Sequence, residues 1–173
     1  PDKSLVNAGG SAAKSGTSEM KQYTSGEMMR TRNFYLLLAT MFFGLISYFM
    51  VSPVSQTYQI DLGIPSAVAV SAVMLGSIVN AGARLVLPTL ADKVGRIVCI
   101  KGVLIVAVIA MGVLAVSRSL AVTVAVVLMY GCYGGIMGSF PSLTSSIFGM
   151  KHTGENYGFV MFGIVFATFG APA

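Results

Sequence analysis

Arg84 stands inside an apolar segment, in the stretch Asn80-Ala-Gly-Ala-Arg-Leu-Val-Leu-Pro-Thr-Leu-Ala-Asp-Lys-Val-Gly-Arg96. It precedes Asp92 by about eight residues, or roughly 12 Å along a helix at 1.5 Å per residue. The hydrocarbon half of a bilayer is only about 15 Å thick, so an arginine at that depth would lie well inside it. A cation there is costly and marks a site that faces protein interior or a watery cavity. Two readings compete. In one, the long side chain snorkels toward the interface, helped by Pro88. In the other, the guanidinium binds an anion. It is always charged, and its planar fork matches a carboxylate through two parallel hydrogen bonds. Asn80 lies one helical turn before Arg84 on the same face, as do Gly76 and Val73, and can offer a neutral donor or acceptor. No acidic residue occupies that spacing, so no local carboxylate neutralises the arginine. An anionic substrate would complete it, as would a carboxylate elsewhere in a longer protein.

The elements that hold these residues follow from composition. The chain of 173 residues is 55% hydrophobic and 10% charged, with a mean hydropathy of +0.80. Soluble domains carry about 25% charge. The apolar residues form several long blocks, which predicts an all-α membrane protein with multiple spans, since backbone groups in lipid must be satisfied within each segment. The blocks are too long and even for barrel strands.

Residues 1–31 are rich in Ser, Gly, Ala and Lys, lack apolar periodicity and read as a disordered cytoplasmic linker. Residues 32–173 form the transmembrane bundle, with spans expected at about 33–55, 66–90, 97–116, 120–148 and 156–173. Pro141 is expected to kink the fourth. Lys3, Lys14, Lys21, Arg30 and Arg32 in the arm, Lys93 and Arg96 after the second span, and Lys151 after the fourth fall on one side. The opposite loops carry only Arg118. This bias places the arm in the cytoplasm.

The net charge of +5 is spent on span ends and is not a nucleic-acid signature. Cys99 and Cys132 lie within apolar blocks and read as small buried hydrophobes. The single histidine, His152, sits in a loop with no ligand cluster, so no metal site and no cofactor are expected. No nucleophile–base pair appears, so the chain does not read as an enzyme.

Two further motifs frame Arg84. In Leu90-Ala-Asp-Lys-Val-Gly-Arg96, Gly95 permits a tight turn, and Asp92 can accept backbone N–H groups or sit near a helix N-terminus. In Tyr130-Gly-Cys-Tyr-Gly-Gly-Ile-Met-Gly-Ser-Phe-Pro141, the pairs Gly131/Gly135 and Gly134/Gly138 have the spacing that lets helix backbones approach closely. Tyr133 and Met137 lie four apart on one face and could line a cavity.

The charged turn between two apolar spans resembles the signature of the major facilitator superfamily. There it forms a conformational latch, which implies that role for Asp92, Lys93, Gly95 and Arg96. Further segments sharpen the likeness: Ser25-Gly-Glu-Met-Met-Arg-Thr, Asn80-Ala-Gly-Ala-Arg84, Phe140-Pro-Ser-Leu-Thr-Ser-Ser-Ile-Phe-Gly149 and Glu155-Asn-Tyr-Gly-Phe159. In this order they resemble the C-terminal half of the oxalate:formate antiporter family. The resemblance runs from about Ser25 onward. It implies helices seven to eleven of a twelve-helix carrier, with the N-terminal half as an expected partner. Arg84 then matches the family's substrate-binding arginine, and Tyr133, Met137 and Met161 fall at pocket aromatics. Ile164 falls where the oxalate carrier has a second cation. Two cations suit a dicarboxylate and one suits a monoanion, so the implied substrate is a small monocarboxylate. Asn80 replaces the aspartate through which related monocarboxylate carriers couple to protons. The expected function is alternating-access transport across a lipid bilayer. The alternatives are a transporter-like membrane sensor or scaffold, or a non-functional half-carrier.

Overall fold

The computed structural model describes residues 21–171. The rest of the expected linker, residues 1–20, lies outside the described residues. Those described form eight helices: α1 Ser25–Met29, α2 Arg32–Val51, α3 Ser55–Asp61, α4 Ser66–Val94, α5 Arg96–Val116, α6 Ala121–Phe148, α7 Thr153–Val160 and α8 Phe162–Gly170. Four of them (α2, α4, α5 and α6) are long and apolar enough to cross a membrane.

α6 is the hub. It packs along α4 and α5 and more lightly against α2, while α8 lies on α2. Over half of its most apolar stretch is buried, against about a tenth for α4. The difference is written in side-chain size. α6 carries Gly131, Gly134, Gly135 and Gly138 in its middle, which let neighbours close on it. α4 turns Met74, Leu75, Ile78, Leu85 and Val86 outward, as a helix in lipid or against another bundle would.

Several boundaries differ from those read in the sequence, for local reasons. The first span ends at Val51, with Ser52 N–H donating to Tyr48 O at 2.8 Å. Pro53 has no N–H to continue the ladder. The chain then forms α3 between the first two expected spans, with Gln59 fully buried and donating to Ser55 O at 3.0 Å. The second span runs past Leu90 to Val94 before Gly95 stops it at φ 108°. The expected linker is ordered at its end: α1 occupies Ser25–Met29 and buries Met28 completely. Thr31 joins α1 to α2, donating through Oγ1 to Met28 O at 2.7 Å while accepting from Phe34 N–H at 3.4 Å. The fifth span starts at Thr153 and is divided at Met161, where Ile164 N–H reaches back only three residues to Met161 O. Pro88 and Pro141 both lie inside continuous helices.

Candidate functional site

The glycines of α6 meet α4 at the two residues singled out for chemistry. A Cβ on Gly134 would collide with the backbone carbonyl of Asn80. On Gly138 it would sit 2.7 Å from Arg84 O and 2.9 Å from Arg84 Cα. Gly135 faces Leu87, and a Cβ on Gly131 would lie 3.0 Å from Val79 Cγ1. The contact is reciprocated by Gly76 of α4, whose Cβ would lie 3.0 Å from the Tyr130 ring. The two backbones therefore touch where Asn80 and Arg84 project.

From that anchored backbone, Arg84 extends an exposed side chain. Its Nε donates to Asn80 Oδ1 at 3.1 Å. Its Cζ lies 5.6 Å from the centroid of the Tyr133 ring, within cation–π range. Among the described residues, Nη1 and Nη2 have no hydrogen-bond partner and Arg84 has no ion pair. The amide thus takes one edge of the guanidinium and leaves the forked end open.

Tyr133 is itself held in place. Tyr48 of α2 stacks on it with centroids 4.1 Å apart and planes 16° from parallel. Phe49 meets it edge-on at 6.0 Å. Tyr48 also meets the edge of Tyr130 at 5.1 Å, and the Tyr130 hydroxyl lies 3.3 Å from Ser52 Oγ. Tyr157 of α7 is half-buried against the core. Tyr48 and Tyr157 were not singled out in the sequence. Their signal was there: a tyrosine in an apolar span carries a polar tip that needs a partner. Met137 and Met161 are half-buried at the edge of the core. The polar and ring contacts gathered at Arg84 do not include them. Ile164 is also half-buried.

The charged turn forms a separate cluster. Arg96 directs Nε and Nη2 to Asp92 Oδ1 at 3.2 and 3.1 Å, and Nη1 to Ser142 O of α6 at 2.9 Å. This ties the α4–α5 turn to the end of α6. Lys93 is exposed and has no ion pair among the described residues. A side chain at Gly95 would have ample space, so its positive φ is what requires glycine.

The two thiols fall together, although they are far apart in sequence. Cys99 and Cys132 line one apolar groove of about 490 Å³ between α4, α5 and α6. Their Sγ atoms lie 3.7 Å from Leu87 O and 3.6 Å from Val103 O. The groove carries no charged side chain and offers an anion nothing. His152 sits at the start of α7 with Nδ1 3.9 Å from Glu155 Oε2, remote in character from the Arg84 group.

Comparison with known proteins agrees with this architecture. The family model described as Major Facilitator Superfamily matches residues 4–172. An uncharacterized MFS-type transporter, YhjX of Escherichia coli (strain K12), is 32% identical over 146 residues, covering 83% of this chain and 36% of the relative. The oxalate:formate antiporter of Oxalobacter formigenes is 28% identical over 142 residues, covering 80% of this chain and 34% of the relative. The chain therefore spans about a third of the length of these relatives. Its helical architecture and the match over nearly its whole length agree: the chain belongs to the Major Facilitator Superfamily.

Proposed function

We propose that this chain is part of a secondary transporter that moves small monocarboxylates across a membrane by alternating access, with Arg84 as the substrate anchor. The observation that carries this reading is the open fork of Arg84. Asn80 satisfies Nε, Tyr133 faces the cationic plane, and Nη1 and Nη2 remain without a protein partner among the described residues. A carboxylate is the group whose two oxygens fit that edge. The antiporter relative handles oxalate and formate by name, which supports an organic anion here. The single cation in the site among the described residues, and Ile164 where the resemblance puts the oxalate carrier's second cation, favour one carboxylate over two. Asn80 cannot exchange a proton at ordinary pH, so proton coupling through that position is not part of the proposal.

In this reading Tyr133 and Tyr48 form an aromatic wall beside the anchor, and Met137 and Met161 give the substrate an apolar surround. Asp92, Lys93, Gly95 and Arg96 act as a latch that stabilises one access state by fastening the α4–α5 turn to α6. The remaining part of the carrier completes a two-sided path around a central site. The arm preceding α2 lies in the cytoplasm, as the distribution of Lys and Arg favours.

Uptake of radiolabelled lactate and pyruvate into proteoliposomes, with the full-length carrier, tests the proposal. Saturable uptake that is lost in Arg84→Gln supports it. Binding without uptake or counterflow would replace it with a sensor, and uptake undiminished in both Arg84→Lys and Arg84→Gln would end the role given to the arginine.

A further inference from the structure

We infer that residues 22–28 form a strap that fixes the first turn of α7, with Asn156 as the residue that fastens the two. The strap joins parts of the chain more than a hundred residues apart. Tyr23 N–H donates to Phe148 O at 2.9 Å, and Asn156 Nδ2 donates to Tyr23 O at 3.1 Å. Both backbone groups of Tyr23 are thus used on opposite sides of the α6–α7 turn. Lys151 N–H donates to Gln22 Oε1 at 2.9 Å, and Ser25 Oγ donates to Glu155 Oε2 at 3.2 Å. The Tyr23 ring meets Phe148 edge-on at 5.7 Å.

The anchor points are built to receive it. α6 ends at Gly149 with φ 89°, and a side chain there would collide with the Gln22 amide. Phe148, Met28 and Asn156 are all sealed from solvent. Residues 24–28 are held in shape by a capping box, in which Thr24 N–H donates to Glu27 Oε2 at 3.0 Å. A buried asparagine spends its amide on Tyr23, and the alternative of leaving Tyr23 O unpaired inside the contact is unfavourable.

Tyr157, the residue after Asn156, is half-buried against the core of the bundle. α7 is short and is divided from α8 at Met161. The strap therefore couples the segment before α2 to the α6–α7 turn and the first turn of α7. Its effect on transport rests on the reading of this chain as part of a carrier; the strap itself does not. A contact that holds one arrangement of α7 has to yield if α7 tilts during transport, so locking it arrests the cycle.

The test uses the full-length carrier with Cys99 and Cys132 changed to alanine, and with Ser25→Cys and Glu155→Cys introduced together. A short thiol-specific cross-linker that forms reducible disulfides should join the pair. Lactate uptake should then fall by at least about tenfold and return on reduction. In a separate variant, Asn156→Asp, the apparent KM for lactate should rise by about threefold or more while the amount of folded carrier is kept. Failure of the pair to cross-link, or full uptake by the cross-linked carrier, overturns the inference. If the unaltered carrier neither binds nor moves lactate, the substrate reading falls. The strap is then decided by hydrogen exchange at the Tyr23 amide: protection lost in Asn156→Asp supports it, and no change refutes it.

Discussion

Two arginines lie at either end of the same stretch, and their surroundings are opposites. Arg96 engages all three of its guanidinium nitrogens with protein, two with Asp92 and one with the Ser142 carbonyl. Among the described residues, Arg84 spends only Nε, on a neutral amide, and turns its plane toward Tyr133. Both contacts use the same i, i+4 spacing, with the acceptor four residues earlier in each case. What differs is the acceptor: a carboxylate before Arg96, an amide before Arg84. A carboxylate neutralises the cation and leaves it a structural fastener. An amide orients the cation without neutralising it, so its charge stays available. In the proposed function, one atom substitution in the side chain four residues upstream separates the latch from the anchor.

The sharpest way to break the comparison is to make the two alike. Asn80→Asp gives Arg84 the partner that Arg96 already has. Lactate uptake should fall by about tenfold to a hundredfold near neutral pH, because an internal carboxylate competes with the substrate. Partial recovery as the pH is lowered and the aspartate protonates would strengthen the case, measured as initial uptake rate against pH. Undiminished uptake would show that the Arg84 fork is not where the anion sits.

The next effect concerns the backbone contact that presents Arg84. Gly134→Leu forces α6 away from Asn80 and should cost about 3 kcal/mol of stability, read as a lowered midpoint of thermal unfolding in detergent. Gly102→Ala is the control, since nothing lies within 4 Å of a Cβ there. Equal midpoints for the two variants would mean that the α4–α6 approach is looser than described.

This packing also separates what was legible in the sequence from what was not. The small-residue spacing in α6 announced a close helix contact, and hydropathy announced the four long apolar helices. The one-turn relation of Asn80 to Arg84 followed from helical period alone. Local chemistry of this kind survives folding because its partners are four residues apart. The stack of Tyr48 on Tyr133 could not be read, because it depends on how α2 meets α6. The same holds for the strap, whose residues are separated by most of the chain. Boundaries shifted where a local propensity was overruled: Ala91–Val94 carry charges that suggest a turn, yet only Gly95 has the backbone freedom to end α4. α3 was hidden by its polarity, since Gln56, Thr57 and Gln59 look like loop residues, yet Gln59 is buried against the bundle.

Smaller effects test the latch side. Asp92→Asn removes a surface ion pair, and exposed pairs are worth about 0–1 kcal/mol. Thermal stability should change little, while Arg96 keeps its bond to Ser142. The expected signature is in the cycle: altered turnover with substrate affinity unchanged. A large loss of affinity would contradict the division of labour between the two arginines. The smallest effect is at Glu27. Hydrogen bonds from the Thr24 backbone N–H and hydroxyl hold its carboxyl below the ordinary glutamate range. A lowered folded value contributes stability that is present above the ordinary glutamate pKa and lost as the pH falls through the folded value. Amide protection in α1 should therefore weaken only in acid, and Glu27→Gln should make it insensitive to pH over that window, as hydrogen exchange would reveal.

The central claim is that Arg84, and not Arg96, receives the substrate carboxylate. Equilibrium binding of radiolabelled lactate to the purified full-length carrier, compared between the unaltered protein, Arg84→Gln and Arg96→Gln, tests it most directly. The account predicts that binding is lost in Arg84→Gln and kept in Arg96→Gln. Lactate bound as tightly by Arg84→Gln as by the unaltered carrier would contradict it.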